Sequence, residues 1–67
     1  DRGDAAMLAY GAGRYALQMG DIRAAEAYFR YAPDDRKAAL ARRILARARE
    51  MGVDVRSRVI RGWAGEA

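Results

Sequence analysis

Met19-Gly20-Asp21-Ile22 constrains this chain more than any other stretch. A glycine after a run of helix formers supplies the left-handed residue that closes a helix. An aspartate directly behind it can accept from the orphan amides of the next helix. Two helices joined this tightly must fold back on one another as an antiparallel hairpin. Ile22, Ala25, Phe29 and Ala32 then recur at helical spacing, with Arg23, Glu26 and Arg30 on the opposite side. Pro33 ends the run, so the second helix is expected over Ile22 to Ala32.

The remaining helices are placed by the same signals. Asp4 is expected to cap a first helix running to Met19, after a frayed Asp1 to Gly3. Its buried stripe reads Ala5, Ala9, Ala12, Gly13 and Ala16, small residues that let helix backbones approach closely. Asp4, Gly11, Arg14 and Gln18 form the polar side, and Gly11 has no evident structural reason to be there. Asp34 or Asp35 is expected to cap a third helix, about Asp35 to Met51, whose apolar face is Leu40, Ala41, Ile44, Leu45, Ala48 and Met51. Gly52 closes it. Asp54 is expected to cap a short fourth helix from Val55 to about Arg61, followed by a frayed Gly62 and Ala64–Ala67 tail.

The chain also overlays on itself at an offset of 32 residues. Ala6, Leu8 and Ala9 fall on Ala38, Leu40 and Ala41; Ala16, Met19 and Gly20 fall on Ala48, Met51 and Gly52. One inserted residue, Val53, then places Asp21-Ile22-Arg23 on Asp54-Val55-Arg56. The expected architecture is therefore all-α: two antiparallel helix hairpins, four helices in one domain spanning residues 1–67, with units at about 4–33 and 34–63.

A hairpin repeating at this period resembles the tetratricopeptide repeat family. Gly13 matches the small residue midway along that family's first helix. Gly20-Asp21 matches its turn, Ala25, Phe29 and Ala32 its second-helix pattern, and Pro33 its boundary proline. Ala9 and Ala16 stand where that family has large aromatics, Pro33 arrives early, and Arg58 replaces the second unit's alanine. The resemblance implies a stacked, groove-forming interaction module, with the second unit divergent or capping.

Chemistry is sparse in this sequence. With no Cys and no His, there is no disulfide and no thiolate, and the commonest metal ligand and commonest general base are missing. Ser57 is the only hydroxyl of its kind, with no activating partner at a telling spacing. The adjacent Asp34 and Asp35 read as capping residues. The expectation is a non-catalytic protein without cofactor or metal. No apolar run is long enough for a transmembrane helix and no signal peptide is visible, so a cytoplasmic location is expected. The chain starts at Asp1, which fits a fragment or a processed product. The Arg, Ala and Gly bias resembles proteins encoded by GC-rich bacterial genomes.

Twelve of the thirteen basic residues are Arg, and the net charge is +4. Arg36, Arg43 and Arg47 share one face of the third helix; Arg42 and Arg49 form a second row. If first helices line a common groove as in the resembled family, Met7, Tyr10, Arg14 and Leu17 face it, with Ala39, Arg42, Ala46 and Arg49. Guanidinium groups bind carboxylates bidentately, so the expected partner is another protein or an acidic peptide segment. Trp63 is either a plug over the last helix pair or an exposed anchor. The candidate binding residues are thus Tyr10, Arg14, Leu17, Arg42, Arg49 and Trp63. Self-association is a second expectation, because a 67-residue chain buries only about 60% of its unfolded surface. The charge also admits a small nucleic-acid-associated protein, the alternative function, although no aromatic-interleaved reading surface supports it.

Overall fold

The computed structural model describes residues 2–65, and within them the chain is all-α with four helices. They are α1 (Arg2–Gln18), α2 (Ile22–Phe29), α3 (Asp34–Met51) and α4 (Arg58–Trp63). Helix α1 packs on α2 and α4 on α3; α3 also touches α1 and α2, so it contacts all three others. No described helix is long and apolar enough to cross a membrane.

The two glycine hinges have the same backbone geometry. Gly20 has φ +77° and Gly52 φ +69°. The Gly20 amide donates to the Leu17 carbonyl (3.0 Å) and the Asp21 amide to the Ala16 carbonyl (2.8 Å). The Gly52 amide donates to Arg49 (3.2 Å) and the Val53 amide to Ala48 (2.8 Å). Each pair is a Schellman closure, which satisfies the orphan carbonyls of a helix end.

Beyond the glycines the hinges diverge. Asp21 Oδ1 accepts from the Ala24 amide at 3.1 Å and starts α2 at once, as expected. Asp54 does not cap. Its carboxylate pairs with Arg56 Nε (3.1 Å) and Arg61 Nη2 (3.5 Å), while Ser57 Oγ accepts from the Ile60 amide (3.3 Å) and starts α4. The last helix therefore begins three residues later than expected and includes Gly62. The expected frayed tail falls partly on Glu66 and Ala67, which lie outside the described residues, as does Asp1.

Three other boundaries differ from expectation. Asp4 lies in the first turn of α1 and does not cap it, because helical backbone already begins at Arg2. Helix α2 stops at Phe29; the Tyr31 and Ala32 amides instead make tighter turns to Tyr28 and Phe29. Pro33 disfavours helical backbone at the residue before it, which shortens the helix. Neither Asp34 nor Asp35 caps α3. Pro33 occupies that position, and both aspartates sit in the first turn, where the helix dipole favours them.

The core centres on α3: Leu40, Ala41, Ile44 and Ala48, joined by Ala25 and Phe29 of α2, with Val55 and Ile60 closing the far side. No polar or charged residue is buried among those described. From α1 the buried residues are Ala9, Tyr10, Gly13, Ala16 and Leu17. Ala5 and Ala12, expected in the stripe, are exposed and half-buried respectively. At 100° per residue the buried face is turned by roughly 55° from the all-small stripe. Tyr10 and Leu17 remove far more apolar area from water than Ala5 and Ala12, so α1 rotates to bury them. The molecule measures 36 × 26 × 14 Å. The shortest dimension is well under half the longest, and α1 keeps an exposed face that includes Leu8, Tyr15 and Met19.

Candidate functional site

The rotation of α1 decides which side chains can meet a partner. Tyr10 and Leu17, expected to line an open groove, belong to the core. Two guanidiniums also approach the Tyr10 ring: the Arg14 guanidinium carbon lies 5.7 Å from the ring centroid and that of Arg36 5.6 Å. These distances fall within cation–π range and tie α1 to α3 through one aromatic ring.

A groove of about 510 Å³ does run between α1 and α3. Gly11, Arg14, Tyr15, Leu17 and Gln18 line it from α1, and Arg43, Ala46, Arg47 and Glu50 from α3. Of the six candidate binding residues, it brings together Arg14 and the edge of Leu17. Arg42 and Arg49 are exposed on another side of α3; Arg49 instead borders a hollow of about 200 Å³ beside Val53 and Arg61. The reason lies in the repeat register. Tyr10 and Leu17 correspond to Arg42 and Arg49 at the 32-residue offset. In the first hairpin that face turns inward toward α3. In the second, the same face has no neighbouring hairpin among the described residues, and arginine covers it.

The α3 arginines of the groove, Arg43 and Arg47, belong to the row that the sequence singled out together with Arg36, which does not line it. Arg47 Nη1 donates to Glu50 Oε2 at 3.0 Å, an exposed pair that holds both side chains along the groove wall. Arg14 and Arg43 make no ion pair among the described residues, so both can donate to an incoming anion. Arg43 and Arg47 are four residues apart, one helical turn, and Arg14 faces them from α1. Three guanidinium groups beside Leu17 and Ala46 can bind carboxylates, and the Glu50 carboxylate shares the same groove. Sequence periodicity showed the Arg43–Arg47 row but not which row faces α1.

Trp63 stands apart from the groove, on α4. It is half-exposed, with Lys37 Nζ 5.7 Å from its ring centroid and 5.9 Å from that of Phe29. Lys37 also pairs with Asp34 of its own helix at 3.2 Å, so this α3 side chain sits between the Phe29 ring of α2 and the Trp63 ring of α4. Among the described residues no group of three His, Cys, Asp or Glu could hold a metal ion.

No family model, curated protein or solved structure matches this chain.

Proposed function

We propose that this chain is a non-catalytic helical-hairpin interaction module, of tetratricopeptide-like kind, that binds an acidic peptide segment of another protein in the α1–α3 groove. The observation that carries this reading is the convergence of Arg14, Arg43 and Arg47 on a groove of about 510 Å³ floored by Leu17 and Ala46. The twofold occurrence of one hinge geometry supports the repeat reading, as does the contact of α1 and α2 with α3. An extended segment with carboxylate side chains can form fork-to-fork hydrogen bonds with those guanidiniums and place its aliphatic stems on the groove floor.

The test is fluorescence anisotropy with a labelled Glu-rich octapeptide bearing a free C-terminal carboxylate. Arg43→Glu combined with Arg47→Glu is expected to weaken binding at least tenfold, while Arg58→Glu on α4, which leaves the groove intact, changes it little. Equal loss in all variants would reduce the interaction to net charge and overturn the proposal. Tighter binding to a generic nucleic-acid duplex, with a log–log salt slope of several charges, would also overturn it and favour nucleic-acid association.

A further inference from the structure

The outward face of α1 carries exposed apolar side chains that the core does not use, and it meets the α1–α3 groove at Gly11 and Tyr15. Leu8 is 74% exposed, Tyr15 64% and Met19 68%. Leu8, Gly11, Ala12 and Tyr15 follow the i, i+3, i+4, i+7 pattern, so they form one diamond on the helix surface. Its centre is small and its two tips are large. Nothing lies within 4 Å of where a Gly11 Cβ would be, so nothing inside the molecule requires a glycine there. That glycine nevertheless costs about 1 kcal/mol of helix stability relative to Ala.

We propose that α1 pairs with α1 of a second copy, antiparallel and crossing at Gly11 and Ala12. About a two-fold axis between those residues, Leu8 of each copy meets Tyr15 of the other. The face is self-complementary, as an isologous contact requires. Small residues at the crossing let the backbones approach, which gives the exposed glycine its role.

Three observations favour a second copy over another occupant. First, the four diamond side chains carry no charge on a chain of net charge +4, so two copies can meet there without opposing their arginines. Second, the outer face of the second hairpin carries Arg42 and Arg49, which disfavours head-to-tail stacking and leaves the symmetric pair. Third, the area suffices. Leu8, Tyr15 and Met19, with Tyr31 at the rim, each expose roughly 100–150 Å², so a pair buries at most about 1,000 Å², the size of a weak, transient interface, with Met19 against Asp4 of the other copy at its ends. Association is therefore expected in the micromolar range. This inference does not rest on peptide binding in the groove, although Gly11 and Tyr15 stand on the groove rim.

The test is sedimentation equilibrium of the whole chain over about two decades of concentration, up to roughly 0.5 mM. The mass is expected to rise from 7.4 kDa toward twice that value. Leu8→Lys and Tyr15→Glu are each expected to weaken association at least tenfold with helicity unchanged. Mixing these two variants restores a dimer, since each Lys then meets a Glu across the axis. Gly11→Leu, whose Cβ meets nothing within 4 Å inside one copy, abolishes the dimer with helicity unchanged. A monomer at every concentration would overturn the proposal, as would a dimer indifferent to Leu8→Lys and Gly11→Leu. A monomer that cosediments with vesicles of phosphatidylcholine and phosphatidylserine would overturn it in favour of a membrane surface.

Discussion

Gly13→Ala should stabilise the protein. A Cβ built on Gly13 meets Leu40 Cδ2 at 3.4 Å, Tyr28 Cβ at 3.5 Å and Leu40 Cδ1 at 3.7 Å, all ordinary van der Waals contacts. The backbones of α1 and α2 are therefore near, with the Leu40 side chain of α3 against the same spot, but not near enough to demand glycine. Replacing an interior helical glycine by alanine contributes about 0.8–1 kcal/mol through chain entropy. Burying one more methyl adds a further fraction of the roughly 0.8 kcal/mol per buried CH₂. A displacement of Leu40 by a few tenths of an ångström offsets some of it. The expected net gain is about 1 kcal/mol, or ~5 °C in Tm for a domain of this size. Urea denaturation followed by helical circular dichroism, at one fixed protein concentration, measures it, and the slope with denaturant should not change. Gly13→Leu should do the opposite, because its Cγ would enter the space of Leu40 and cost about 1–3 kcal/mol. A loss of stability in Gly13→Ala would refute the reasoning and mean that Tyr28 of α2 or the Leu40 side chain lies closer to α1 than described.

Gly20→Ala should lose about 1–2 kcal/mol, because φ is +77° and an L side chain is strained there; thermal melts will show it. Ser57→Ala should cost about 1 kcal/mol as a lost cap. Asp54→Ala should cost less than about 0.5 kcal/mol, because its ion pairs are exposed. The emission of Trp63, which reports on α4, distinguishes those two variants.

Residues that act locally made much of this fold legible. A glycine with its two Schellman hydrogen bonds behaves alike at Gly20 and Gly52 because closure depends only on the preceding turn. The α2 face of Ile22, Ala25 and Phe29 was equally clear, since its polar side is unbroken. Helix α1 was not, because its apolar residues are distributed around most of its circumference. Periodicity cannot fix the phase of such a helix; the neighbours do, and they selected Tyr10 and Leu17 over Ala5 and Ala12. The error carried directly into the candidate site. Tyr10 belongs to the core, Leu17 is buried but still borders the groove, and their repeat equivalents Arg42 and Arg49 lie on a flank of α3. Ser57 was overlooked as a cap because the echo at Asp54 fitted the first hinge so well. The five-residue link before α4 breaks that echo.

The position of Lys37 has a chemical consequence. It is the only lysine of the chain, and its side chain is 18% exposed between α3 and α4. The other basic side chains are guanidiniums, which acylating reagents, amine cross-linkers and lysine-directed tagging enzymes leave alone. All such side-chain chemistry must therefore pass through one amine beneath Trp63, and its rate follows how often the last helix lifts.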